Sequence, residues 1–142
     1  MKIAMVTGAT SGIGEACARK FAHEGYSVII TGRREERLDS LKTELEKDGV
    51  SVLPLCFDVC DRAQAKKILD SLPDEWQNID VLINNAGLAR GLEPEYEGDF
   101  TDWDEMIDTN IKGLLNITRY IVPKMVNVNH GHVINIGSVA GD

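Results

Sequence analysis

The most chemically pointed stretch of the chain is Thr7-Gly8-Ala9-Thr10-Ser11-Gly12-Ile13-Gly14, which follows the apolar run Ile3 to Val6 and opens a helical segment. A tight turn, a close backbone approach to a pyrophosphate and close helix–strand packing each require a missing side chain. The N-terminus of the helix attracts the anion. Gly8, Thr10, Ser11, Gly12, Ile13 and Gly14 are therefore candidate cofactor contacts. The alternative is a glycine-rich turn that holds no ligand. The spacing is Gly-x-x-x-Gly-x-Gly, which departs from the dinucleotide fingerprint Gly-x-Gly-x-x-Gly.

Thr31-Gly32-Arg33-Arg34 follows the second apolar run. A fold that selects NAD usually places Asp or Glu there, on the ribose 2′-hydroxyl. A guanidinium can instead pair bidentately with a 2′-phosphate and lie flat on the adenine, so Arg33 and Arg34 point to NADP. A solvated charge pair is the bland alternative. Against it, cations at a helix N-terminus oppose the macrodipole by ~0.3–1 kcal/mol each when exposed. Glu35 and Glu36 leave NAD as the weaker option. After the third run, the Asp58 carboxylate can accept from the adenine amino group while the amide of Val59 donates to the ring; a turn-forming Asp is the competing reading.

After the fourth run stands Asn84-Asn85-Ala86-Gly87, whose small residues let the nicotinamide ribose approach the backbone. Asn85, Ala86 and Gly87 are candidate cofactor contacts, and Asn84 a structural tie between strand ends. Ser138 ends the fifth run, where open α/β sheets bind their ligands. Its hydroxyl would hydrogen-bond a substrate oxygen whose charge changes as hydride moves, an oxyanion-type role rather than nucleophilic attack. No metal site is expected: Cys17, Cys56 and Cys60 lack C-x-x-C spacing, and His130 and His132 have no third ligand at a recognisable distance.

These residues need elements to position them. Five near-continuous apolar runs recur, Ile3 to Val6, Val28 to Ile30, Val52 to Leu55, Val81 to Ile83 and Val133 to Ile136. Strands buried on both faces read that way. Between them lie helical spacings such as Leu38, Leu41, Leu45 and Ile68, Leu69, Leu72. The alternation predicts an α/β fold, a doubly wound parallel sheet with right-handed crossovers and helices on both faces. Gly25 and Gly49 close the first two helices, Asp61 can cap the third and Pro73 ends it. Thr101 with Asp104 resembles a capping box for a fourth helix over about 102–127, which Gly113 interrupts and which is expected to kink near Pro123. Leu88 to Gly98 reads as a surface loop.

The loop Thr7-Gly8-x-x-Ser11-Gly12-Ile13-Gly14 resembles the cofactor loop of the short-chain dehydrogenase/reductase family. Asp58-Val59, Asn84-Asn85-Ala86-Gly87, Asn110 and Ile136-Gly137-Ser138 match further family motifs in order, so the resemblance covers the whole chain. It implies a Rossmann sheet of strand order 3-2-1-4-5, an Asn110 that opens its helix so that its carbonyl holds a water for proton relay, and a homo-oligomer, a tetramer. The stretches Leu72-Pro73-x-Glu75-Trp76, Asn85-Ala86-Gly87-Leu88-Ala89 and Met106-Ile107-Asp108-Thr109-Asn110 are most similar to the branch acting on 3-hydroxy acids. That branch includes serine and allo-threonine dehydrogenases that also reduce malonic semialdehyde. Asn110 and Ser138 are thus the candidate catalytic residues.

The family's acid/base is a Tyr with a Lys one helical turn later, after the serine. No such pair follows Ser138 in the 142 residues, so residues 1–142 are expected to be the dinucleotide-binding portion, ending before the Tyr-x-x-x-Lys segment and the C-terminal strands. Tyr120-Ile121-Val122-Pro123-Lys124 precedes Ser138 and contains a proline that distorts the turn, so it is not that pair. Two readings follow: an NADP-dependent oxidoreductase acting on a small hydroxy acid or carbonyl substrate, or a non-catalytic nucleotide-binding or regulatory module. The presence of Asn110 and Ser138, for which a binding module has no use, favours the enzyme.

Composition narrows the partners. Fifteen Lys and Arg against 23 Asp and Glu give a net charge of −8, which argues against nucleic acid, since counterion release needs a basic face. With 43% hydrophobic and 27% charged residues the chain is an ordinary folded domain. No apolar run approaches the ~20 residues of a membrane span, and the N-terminal run is too short for a signal peptide, so a cytoplasmic protein is expected.

Overall fold

A computed structural model of the chain describes residues 1–10, 12–85 and 99–136. Among these, the strands are β1 (Ile3–Val6), β2 (Ser27–Gly32), β3 (Val52–Cys56), β4 (Val81–Asn84) and β5 (His132–Asn135). They form a five-stranded sheet in the order β3-β2-β1-β4-β5, every pairing parallel. The expected sheet and strand order are therefore present. The helices are α1 (Gly12–His23), α2 (Glu35–Glu46), α3 (Arg62–Asp70), α4 (Phe100–Ile107) and α5 (Leu114–Asn127).

The continuous apolar runs divide by alternation. Ile3 and Met5 of β1 and Leu82 of β4 face a layer built from α3 and α5, with Ala65, Leu69, Ile117 and Ile121. Ala4, Val6, Val81 and Ile83 face α1 and α2, through Ala18, Ala22, Leu38 and Leu41. Successive strand side chains point to opposite faces, so a sheet covered on both sides needs apolar residues at every position. Helix α3 has only nine residues, too short to stand alone in water. Its buried Ala65 and Leu69, packed with Leu72 and Trp76, hold it in place.

The ends of the elements follow local chemistry. Asp61 accepts from Gln64 N at 3.1 Å and caps α3 as expected. Gly25 and Gly49 end α1 and α2 at φ +91° and +81°, where a side chain would be strained. Pro54 sits inside β3, which is tolerated because β3 lies at one end of the sheet order. Arg19 of α1 hydrogen-bonds Glu44 of α2, which holds the Glu44 carboxyl below its ordinary range.

The fourth helix differs from expectation. Thr101 is already inside α4, and its amide donates to Asp99 Oδ1 at 2.9 Å, so Asp99 takes the capping role read for Thr101 with Asp104. The single helix over 102–127 is instead two α-helices joined by a π-helical turn, Asp108–Gly113. Helix α5 runs on through Pro123 to Asn127, so the interruption lies upstream of the proline. Among the described residues no helix is long and apolar enough to cross a membrane.

Candidate dinucleotide site

All five strands are parallel, so their C-terminal ends share one edge of the sheet, and the glycine loop is slung across it. Thr7 N donates to Ile83 O at 3.0 Å, toward β4, and Ala9 N to Thr31 O at 2.9 Å, toward β2. Gly8 has φ +60° and Gly12 φ +58°, a backbone that side chains rarely adopt. Gly14 is needed for a different reason: a Cβ there would lie 2.0 Å from Gly8 O and 2.3 Å from Asn85 Nδ2. The first turn of α1 is thus drawn against the loop and the end of β4, and the leading amides of a helix have no partner inside it and favour an anion. Ile13 is exposed in that turn, and Thr10 packs on Gly32, whose Cβ position is 3.3 Å from Thr10 Cγ2. Ser11 lies outside the described residues.

Arg33 and Arg34 follow β2 directly, and both are exposed. Arg34 takes the position before α2 with extended backbone (φ −114°, ψ 103°) and offers the helix no side-chain cap. Neither arginine forms an ion pair among the described residues, although Glu35 and Glu36 are adjacent. Two unpaired cations beside a helix N-terminus are unfavourable for the isolated protein and suited to a phosphate dianion.

The loop after β3 carries Asp58 and Val59. One Asp58 oxygen, Oδ1, accepts from Cys60 N at 2.9 Å and forms a local turn. The turn-forming reading of Asp58 thus holds for that oxygen, leaving Oδ2 for a ligand. Val59 is buried, and its amide has no acceptor among the described residues.

At the end of β4 the two asparagines behave differently. Asn84 is buried, and its Nδ2 donates to Thr118 Oγ1 at 3.2 Å and to Asn135 Oδ1 at 3.0 Å, tying β4 to α5 and β5. Asn85 N donates to Thr7 Oγ1 at 2.9 Å, and its Nδ2 donates to Gly8 O at 3.1 Å, so its side chain straps the glycine loop to β4. Thr7, quoted in the motif without a role, is therefore the post on which the strap is fixed. Its full burial, 1% exposed, follows from the apolar run before it. Ala86, Gly87 and Ser138 lie outside the described residues. Asn110 lies within the π-helical turn Asp108–Gly113. Lys124 Nζ donates to Leu69 O (3.1 Å) and Gln77 Oε1 (3.2 Å), a structural tie between α5 and the segment around α3.

These features fit a dinucleotide: a glycine cradle that a Cβ would fill at Gly14, a helix N-terminus, and, among the described residues, arginines without an ion pair at the end of β2 and an amide without an acceptor at Val59. The short chain dehydrogenase family model matches residues 2–142. The chain belongs to that family. It is 55% identical over 139 residues to the NADP-dependent 3-hydroxy acid dehydrogenase YdfG of Escherichia coli, covering 98% of this chain and 55% of the relative. The crystal structure of serine dehydrogenase from Escherichia coli superposes with a TM-score of 0.91 and 53% identity, over 98% of this chain and 63% of that one. The closed form of serine dehydrogenase complexed with NADP+ gives 0.90 and 53%, over 98% and 55%. The chain spans about half the length of the curated relatives it matches. The glycine loop, the Asp58-Val59 pair and the double asparagine of this chain all follow the C-terminal ends of parallel strands.

Proposed function

We propose that the protein is an NADP-dependent oxidoreductase that interconverts a primary or secondary alcohol and its carbonyl. The substrate is a 3-hydroxy acid such as serine or allo-threonine, or malonic semialdehyde in the reverse sense. The observation that carries the cofactor reading is the pair Arg33 and Arg34, exposed after β2 without an ion pair among the described residues. Kinship with NADP-dependent 3-hydroxy acid dehydrogenases supports it and supports the choice of substrate class. When bound, the nicotinamide supplies hydride transfer. The chain's own residues do the rest: the amides of α1 and the glycine loop hold the pyrophosphate, Arg33 and Arg34 the 2′-phosphate, and Asp58 and Val59 the adenine. Asn85, with Ala86 and Gly87, shapes the wall beside the nicotinamide ribose.

Ser138 donates a hydrogen bond to the substrate oxygen, and Asn110 supports proton relay through its carbonyl. The acid/base is a Tyr–Lys pair outside these 142 residues, which we read as the dinucleotide-binding portion of the enzyme. The same reading makes the working protein a cytoplasmic homo-oligomer, a tetramer. The test is oxidation of serine and 3-hydroxypropionate by the full-length protein with NADP+ and with Ser138→Ala. Turnover should fall by ~10²-fold or more in the variant while NADP+ binding stays within a factor of two, since a hydrogen bond made to the reacting oxygen acts in the transition state. Wild-type turnover in Ser138→Ala removes the serine from the site, and no NADP-linked turnover of any hydroxy acid removes the activity.

A further inference from the structure

The loop after β3 satisfies all its amides but one. Phe57 N donates to Gly32 O (3.0 Å), Asp58 N to Gln64 Oε1 (3.3 Å), Cys60 N to Asp58 Oδ1 (2.9 Å) and Asp61 N to Asp58 O (3.0 Å). Val59 N alone in this run has no acceptor among the described residues. A backbone N–H without an acceptor in the protein is a donor left over for a ligand or for water. What fixes it is on the other side of the same residue. Asn116 Nδ2 donates to Val59 O at 3.0 Å, and Arg62 Nε donates to Asn116 Oδ1 at 3.2 Å. Asn116 lies within α5 and is 6% exposed. A buried asparagine in a helix interior is a poor helix former and a desolvated polar group, and its two amide atoms here serve the loop and the first residue of α3 rather than its own helix. Three residues earlier, Gly113 lets the helix approach: a Cβ there would lie 2.6 Å from Val59 Cγ2.

We propose that Asn116, oriented by Arg62, is a positioning residue that sets the Val59 amide and the Asp58 carboxylate for the adenine of the cofactor; this rests on the dinucleotide reading of the site. The helix that crosses between β4 and β5 thereby governs affinity for the adenosine half of the ligand, at the far end of the sheet order from β5.

Asn116→Asp keeps the shape and gives Arg62 a carboxylate, but offers Val59 O no donor. Isothermal titration of the full chain should show affinity for adenosine 2′,5′-bisphosphate about tenfold weaker, the size of one hydrogen bond. Nicotinamide mononucleotide, which has no adenine, should bind as to the wild type, and amide exchange at Cys60 and Asp61, whose N–H groups are bonded within the turn, should quicken. A folded Asn116→Asp with unchanged bisphosphate affinity, or with both ligands weakened alike, overturns the positioning role. If that variant does not fold, Arg62→Ala, at an exposed position, should weaken the bisphosphate about threefold, half the free-energy effect of a tenfold loss, and unchanged affinity overturns the role as well. A wild-type chain that binds neither ligand overturns the dinucleotide reading and this inference with it.

Discussion

Arg33 and Arg34 are the residues at which cofactor choice can be separated from cofactor binding. Both are exposed, so each contact to a 2′-phosphate is screened, and the charge-assisted bond is worth the low end of about 1.5–3 kcal/mol. Replacing both with alanine should raise the KM for NADPH by about tenfold or more and that for NADH by less than threefold, measured by initial rates with the full-length protein. Equal losses for the two cofactors would remove the phosphate clamp. These arginines were legible in the sequence because their chemistry is local: a pair of cations where an acid usually stands needs no knowledge of distant contacts. The same holds for Gly8 and Gly12, whose left-handed backbone is a property of the loop itself. Asn85 and Asn116 were not legible in that way. The strap from Asn85 Nδ2 to Gly8 O and the clasp from Asn116 Nδ2 to Val59 O join residues far apart in the chain. An asparagine on one side of such a pair carries no mark of the carbonyl on the other.

At the scale of elements, strands and short helices could be read from apolar pattern, and the long fourth helix could not. A helical period read across 102–127 assumes a constant pitch, while the π-helical turn Asp108–Gly113 inserts a wider one and shifts the phase of everything after it. The only sequence signal was Asn110 followed by Gly113, two poor helix formers at the place where the winding changes. The turn brings Gly113 against Val59, and that contact can be tested. Gly113 has φ −60° as it leads into α5, so alanine there is not strained by its backbone and would gain up to about 1 kcal/mol of helix propensity. Against this, its Cβ would meet the buried, β-branched Val59 at 2.6 Å, and overpacking of that kind costs about 1–3 kcal/mol. Packing should win. Gly113→Ala should melt a few degrees below the wild type by calorimetry and bind adenosine 2′,5′-bisphosphate more weakly, because the displaced residue is the one whose amide is proposed to meet the adenine. A variant that melts higher and binds as well would mean that the loop yields without consequence.

At the scale of the whole molecule, the described residues carry a row of exposed apolar side chains along the fourth crossover. Phe100 (74% exposed), Ile107 (49%), Ile111 (52%) and Leu115 (57%) recur at intervals of seven, four and four along α4, the π-helical turn and α5. Such spacing sets side chains along one side of a helix. Soluble monomers seldom display a continuous apolar strip of this kind, and a helix pair that lays its stripe against a second copy of itself covers it by two-fold symmetry. In the homo-oligomer proposed above, this stripe would be a contact between copies. Because Ile111 and Leu115 are already half in water, replacing both with glutamate should cost the folded protomer little. In an apolar interface it would bury four carboxylates across the two-fold axis, which no dimer of ordinary size can accommodate. Light scattering of the full-length double variant should give the protomer mass where the wild type gives an oligomer, with circular dichroism and adenosine 2′,5′-bisphosphate binding retained. An assembly of wild-type mass would place the contact elsewhere on the molecule, and lost nucleotide binding would mean that the π-helical turn, rather than the interface, had been disturbed.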